Sequence, residues 1–336
     1  MSATRARPGR AKGRDREGPP APERLDASLA ASFLPDRPAV GHKGTFGHVL
    51  AVAGSLDWAG AALLSGSAAL RTGAGLVTLA VPASLQPVIA GRVPELMTMA
   101  LPETEPFVVD PARAADAVAR HPHAAMVLGP GLRPGPATSD LVLRIVEGSG
   151  EPAGEGSGGA DGIPAPAVID ATALSALADV EEWWDRRVRL CVLTPHPGEF
   201  ARLDGSPIGP TDDDRRERAR AAAIRWGVVV VLKGARTVVA APDGRVAHAP
   251  FANPALGTGG TGDVLAGIIA SLLGQGVPTW EAACLGVHLH GTAGERIRER
   301  MGDAGLAASD LLPELALARR DLARRASERR IGFTPR

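Results

Sequence analysis

The residues best equipped for chemistry are gathered in one stretch, Asn253 to Gly267, where Gly257, Gly259, Gly260 and Gly262 crowd just ahead of Asp263. Such a run cannot form the interior of a strand or helix. It supplies backbone that takes positive φ and comes close to a ligand. The apolar residues that follow (Val264, Leu265, Ile268, Ile269, Leu272 and Leu273) predict a buried helix. A glycine loop opening onto a helix N-terminus offers free N–H groups and the positive dipole end, and so binds anions such as phosphate. Asp263 falls where loop meets helix, and its carboxylate has two readings: a helix cap, or a general base held beside a phosphate. The stretch spells G-x-G-x-x-G, but no apolar strand precedes it and it falls late in the chain, unlike a dinucleotide fingerprint. It also spells G-x-x-x-x-G, but Asp263 and Val264 replace the Lys-Ser/Thr of a P-loop. What remains is a phosphate cradle with its own acid, suited to activating a hydroxyl for attack on a phosphoryl group.

Other candidates are scattered along the chain. His196, flanked by Pro195 and Pro197, is either a satisfied structural group or a ligand contact. Glu199 falls in the first turn of the next helix, serving its dipole or helping to hold a metal-bound phosphate. Lys233 would neutralise phosphate or simply be solvated. Asp170 would contact Mg2+ or substrate, or cap a helix. His42-Lys43-Gly44 would suit an anionic ligand. His288 and His290, two apart in an apolar helix, have no metal-ligand spacing and read as structural.

The elements needed to position these residues are short and repetitive. Val49–Ala53 is a buried strand ending in Gly54-Ser55; Gly60–Arg71 is a helix closed by Gly73; Leu76–Val81 is the next strand. Met126–Leu128 runs into Gly129-Pro130-Gly131, Ala167–Ile169 into Asp170, Leu190–Leu193 into the His196 loop, and Val228–Leu232 into Lys233-Gly234. Strand, polar or glycine loop, then helix, repeated this often, predicts an α/β fold with a mostly parallel central sheet flanked by helices on both faces. Sheets of this kind bind ligands at the carboxyl ends of their strands, where every strand-end residue just named falls.

The chain has 336 residues, 45% hydrophobic but only 3% aromatic with no Tyr, so its core must be built from Ala, Val and Leu. Lys+Arg and Asp+Glu balance at 37 each, which points to neither nucleic acid nor an acidic membrane. Cys191 and Cys284, the two cysteines, lie in apolar surroundings and read as buried thiols. No apolar run is long enough to span a membrane and no signal core opens the chain, so a cytoplasmic location is expected. Residues 1–24 predict a disordered basic leader, 25–325 a single domain, 147–166 a flexible Gly/Pro-rich insertion within it, and 326–336 a frayed tail after a charged helix.

Taken together these stretches resemble the ADP/ATP-dependent NAD(P)H-hydrate dehydratases, a branch of the ribokinase-like superfamily. The resemblance rests on His42–Gly47, Gly54-Ser55 with Gly60–Ala62, Arg71–Val77, Gly129–Leu132, Leu193–Glu199, Leu232–Ala235 and Asn253–Asp263, in family order over roughly Val40 to Leu312. It implies a ribokinase-like domain that uses ADP, or ATP, as phosphoryl donor with Mg2+ to repair the hydrated forms of NADH and NADPH. Asp263 would then be the base on the hydrate hydroxyl, and the amides of Gly259 to Gly262, Gly260 among them, would hold the transferring phosphoryl group. Lys233, Gly234, Ala235, Arg236, Thr237 and Gly262 would line the nucleotide site. Ala61, Gly131, His196 and Asp263 would line the hydrate site. The metal ligand stays open, with Glu199 and Asp170 as the candidates the residues offer.

The family's Asp-Ala-Asp-x-Leu-Asn stands here as Asp170-Ala171-Thr172-Ala173-Leu174-Ser175, and Glu295 replaces an Asp. The family also implies a homo-oligomer, tending to a tetramer, and a separate epimerase partner, because the leader is too short to be the epimerase domain often fused ahead. Two alternatives are a ribokinase-like kinase of a small alcohol, such as a hydroxyethylthiazole or a sugar, and a non-catalytic nucleotide-binding protein.

Overall fold

The computed structural model describes residues 20–148, 165–185 and 190–332. Its strands in chain order are β1 (Glu23–Arg24), β2 (His48–Val52), β3 (Leu76–Pro82), β4 (Met97–Leu101), β5 (Glu103–Glu105), β6 (Val108–Val109), β7 (Ala125–Leu128), β8 (Ala167–Ile169), β9 (Cys191–Leu193), β10 (Val229–Leu232), β11 (Val238–Ala240) and β12 (Val246–His248). The first helices are α1 (Ala27–Ser32), α2 (Ala59–Thr72), α3 (Gln86–Ile89), α4 (Pro111–Arg120) and α5 (Pro136–Glu147). They are followed by α6 (Thr172–Ala178), α7 (Pro197–Asp204), α8 (Asp212–Trp226), α9 (Thr261–Gly274), α10 (Thr279–Met301) and α11 (Leu311–Gly332).

One sheet runs in the order β1-β12-β11-β10-β9-β8-β7-β2-β3-β4, while β5 and β6 form a separate ribbon. All its pairings are parallel except those of β11 with β10 and β12. The order reverses between β2 and β7, and such a switch point opens a crevice at the carboxyl ends of the strands. Along β2, Val49 and Ala51 pack into one core while Leu50 and Val52 pack into the other, as the two-residue period of a strand covered on both faces demands. Helices α2, α9, α10 and α11 cover the first face; α4 to α8 cover the second.

Helix α9 is buried on every side from Val264 to Leu273, consistent with its apolar run. It packs against α2 so closely that a Cβ on Gly267 would overlap the carbonyl of Ser65.

The boundaries differ locally from those expected. Glu23-Arg24 already pair with β12, so the ordered chain starts ahead of residue 25. Helix α11 runs to Gly332, past the expected boundary at 326. Residues 1–19, and 149–164 of the insertion, lie outside the described residues. At the insertion's edges Glu147 still closes α5, and Pro166 already accepts a sheet hydrogen bond from Met126 at 3.0 Å. Among the described residues no helix is long and apolar enough to cross a membrane.

Candidate active site

The glycine loop enters α9 through Gly260, which holds the cap position at φ 92°, in the left-handed region. No side chain caps the helix, so the N–H groups of its first turn remain available to an anion. Asp263 lies in that first turn, three residues past the cap, and makes no side-chain hydrogen bond among the described residues. The capping reading of Asp263 is therefore excluded, because glycine occupies the place it would need. Burial pushes its carboxyl up to about 7, assisted by the negative charges of Asp170 and Glu199 and opposed by Lys233. A half-buried carboxyl near neutrality, free of partners, has the protonation behaviour of a general base.

Lys233, at the carboxyl end of β10, is the hub of the charges around it. Its Nζ donates to Asp170 Oδ1 at 2.7 Å and lies 3.8 Å from Glu199 Oε2. Burial alone would lower its pKa, but Asp170, Glu199 and Asp263 together raise it above the ordinary value. The same ammonium abuts the glycine loop, since a Cβ on Gly262 would lie 3.4 Å from Nζ. Asp170 is only 1% exposed, so Lys233 is what allows its charge to be buried. The residue after Asp170, Ala171, sits at φ 51°, and Arg236 in the Lys233 loop at φ 52°. Such non-glycine backbone persists only where its surroundings over-determine it, commonly at functional sites.

His196 caps α7. Its Nδ1 accepts from the backbone of Gly198 at 3.0 Å and Glu199 at 3.2 Å, while Glu199 Oε2 accepts from His196 N at 2.8 Å. This reciprocal box puts the ring proton on Nε2, which lies 3.5 Å from Glu199 Oε1. Glu199 is thus engaged on both oxygens, and Asp170 is engaged by Lys233. Among the described residues no group of three His, Cys, Asp or Glu converges on a metal position. Asp170 and Glu199 therefore form no three-ligand cage for Mg2+ among the described residues.

A cavity of about 460 Å³ opens beside the hub. Lys233, Gly234, Ala235, Thr237 and Gly262, five of the six residues expected at the nucleotide site, line it. Arg236 does not; its Nη1 turns away to Asp212 Oδ2 at 2.8 Å. Ala61 and Gly131 meet on the other side of the loop, where a Cβ on Gly131 would lie 2.7 Å from that of Ala61. Asp263 is absent from the cavity lining, whereas a Cβ on Gly260 would lie 4.0 Å from Asp263 Oδ2 and 2.8 Å from Leu64 of α2. Asp263 is therefore set beside the part of α2 next to Gly260 rather than in the wall of the Lys233 cavity.

Two connections are not visible in the sequence. His290 lines the cavity and is driven down to about 4 by burial, so its neutral Nε2 donates to Thr261 O at 3.0 Å, bracing the first residue of α9. The Leu-His-Gly of an apolar helix carries no spacing that could reveal this. Thr172, where the family has an acid, donates from Oγ1 to Leu132 O at 2.8 Å and ties α6 to the Gly131 loop. His42-Lys43-Gly44, by contrast, precedes β2 at the opposite end of the sheet, where Gly47 meets Gly274 at the end of α9. The anionic ligand that stretch would suit is therefore not one held at the glycine loop. Glu295, the other departure, has Oε1 buried without a partner and Oε2 3.7 Å from Arg298.

A parallel sheet with a glycine loop and acid at one helix start defines a ribokinase-like protein. An ADP/ATP-dependent NAD(P)H-hydrate dehydratase from Bacillus subtilis, crystallised with ATP and Mg2+, has a similar structure, with a TM-score of 0.74 at 30% identity over 89% of this chain and 98% of that one. The NAD(P)H-hydrate dehydratase family model matches residues 49–316, and the chain belongs to that family. It is 44% identical over 310 residues to the bifunctional NAD(P)H-hydrate repair enzyme Nnr of Moorella thermoacetica, covering 89% of this chain and 54% of that protein. It is 38% identical over 292 residues to the ADP-dependent (S)-NAD(P)H-hydrate dehydratase of Neisseria meningitidis, covering 85% and 88%. The chain spans about half the length of the bifunctional relatives it matches.

Proposed function

We propose that the chain is a dehydratase of the S-epimer of hydrated NADH and NADPH that uses ADP as phosphoryl donor. One observation carries the mechanism: Asp263, raised to about 7, stands without a hydrogen-bond partner in the uncapped first turn of α9. Asp263 takes the proton of the hydrate hydroxyl. The freed oxygen bonds to the β-phosphorus of ADP as the bond to the bridging oxygen breaks and AMP leaves. The amides of Gly259 to Gly262, with Lys233, stabilise the charge on the transferring group. The carbon–oxygen bond of the phosphorylated hydrate then breaks, phosphate departs, a proton leaves the neighbouring carbon, and the reduced nicotinamide ring is restored.

The names and ligands of the relatives support nucleotide use and this substrate. A separate epimerase would supply the S-epimer, a role consistent with the bifunctional name of the longer relatives. The test is incubation with hydrated NADH and ADP while following absorbance of the reduced nicotinamide. Recovery of that absorbance with stoichiometric AMP and phosphate is expected. No recovery with ADP or ATP, beside phosphorylation of a hydroxyethylthiazole or a sugar, would overturn the reading in favour of a small-alcohol kinase.

A further inference from the structure

Helix α9, which begins at the glycine loop, and helix α2 packed beside it end at the opposite side of the sheet beside a second cavity of about 490 Å³. Arg37, Arg71, Arg319 and Arg320 line it against one carboxylate, Asp36. Arg320 is taken up by Asp321, at 2.9 Å. Among the described residues none of Arg37, Arg71 and Arg319 has a carboxylate within ion-pair distance. Burial, and then the neighbouring charge of Arg37, push Arg319 down to about 10. Two guanidinium groups are therefore held near each other, and among the described residues neither is paired with a carboxylate.

Part of the arrangement is helix capping. Arg37 Nη1 donates to Gly73 O at 2.9 Å, and Arg319 donates to Thr72 O at 3.1 Å and Gln275 Oε1 at 3.3 Å. Cations are favourable at C-terminal carbonyls. Capping uses three of the roughly ten N–H donors these two groups carry, however, and neutralises neither charge. Arg71, in the last turn of α2, makes no hydrogen bond among the described residues and reaches the same cavity. The face of Phe46 holds the Arg37 guanidinium 3.8 Å from its centroid, fixing its position without cancelling its charge. Phe46 belongs to the His42–Gly47 stretch, which the active site does not use.

We propose that this cavity is a second anion site, which takes the phosphate group of a small phosphorylated metabolite. Planar guanidinium forks match phosphate oxygens in pairs, and three with unsatisfied charge are more than a carboxylate would need. The volume is that of a small-molecule pocket rather than of one oxyanion, and Leu34 and Ala316 supply apolar wall for the remainder of the ligand. The 14 residues of α2 set it roughly 20 Å from the glycine loop, so the two sites do not share a ligand.

The test is calorimetric titration of the full chain and of its Arg71→Ala variant with ribose 5-phosphate and, separately, with inorganic phosphate. Because Arg71 is remote from the glycine loop, the difference between wild type and variant reports on the arginine cavity alone. Ribose 5-phosphate is expected to bind more tightly than phosphate, to weaken with salt, and to lose about tenfold or more in affinity in Arg71→Ala, with Arg71→Lys recovering part of it and the melting temperature unchanged. Equal affinity in wild type and variant would overturn the site, and binding of phosphate alone would overturn its small-molecule character. No binding to wild type, combined with loss of a higher assembly in Arg71→Ala, would assign the arginines to a subunit contact instead.

Discussion

The two ends of the α2–α9 pair meet the same electrostatic problem and solve it in opposite ways. At the C-terminal end of α2, carbonyls are covered by Arg37 and Arg319, side chains long enough to reach and cationic enough to suit the dipole. At the N-terminal end of α9 no side chain among the described residues covers the corresponding amides, and the left-handed Gly260, where a Cβ would lie 2.8 Å from Leu64, leaves no room for a capping Ser, Thr or Asp. Stability is served by the first arrangement and given up in the second. An uncapped helix start beside a cation and an unpartnered acid is intelligible only if a ligand completes it.

The comparison breaks first at Asp263. Asp263→Asn keeps shape and removes the proton acceptor, so hydrate turnover at saturating ADP should fall by about 10² to 10⁴. ADP affinity, read by titration, should change little; near-normal turnover in the folded variant would remove the base.

Next in size is Lys233. Lys233→Met strands the buried charge of Asp170, and chemical denaturation should show a loss of about 3 kcal/mol together with weaker ADP binding. Adding Asp170→Asn should return most of the stability but not the ADP affinity. If stability does not return, the pair is not what holds this region.

A smaller effect separates the two ends by pH. A carboxyl raised in the folded state contributes stability that is present below its unfolded value and lost as pH rises through its folded value of about 7. Melting curves should therefore show Asp263→Asn gaining on the wild type between about pH 4 and 7, by on the order of 1–2 kcal/mol at the upper end. An acid whose charge was stabilised by the helix dipole would give the reverse trend. At the far end, Arg319→Ala should cost only about 1 kcal/mol and leave turnover unchanged, since it removes a cap remote from the chemistry.

Much of this architecture is legible in the amino-acid sequence, because it is written in local patterns. Runs such as Val49–Ala53 and Val228–Leu232, each ending in glycine or a polar residue, announce parallel strands and the edge where ligands bind. The glycines around Asp263 likewise mark a phosphate loop by composition alone. What the chain does not disclose depends on long-range partnership. That Lys233 binds Asp170, 63 positions earlier, is a matter of strand order. That His290 braces Thr261 depends on how α10 lies against α9. The sequence leaves His196 open between ligand and structural group, and only the hydrogen bonds to Gly198 and Glu199 reveal a cap. Arg236 reads with its neighbours as one binding loop, but its positive φ turns the side chain outward to Asp212.

The burial of α9 on every side bears on time as well as on energy. A helix with no solvent-facing stripe has no easy route to local fraying, so its amides beyond the first turn should exchange with solvent only when the whole domain opens. The glycine loop is thereby fastened to an element with few ways to move, which keeps Asp263 in one place as ligands come and go.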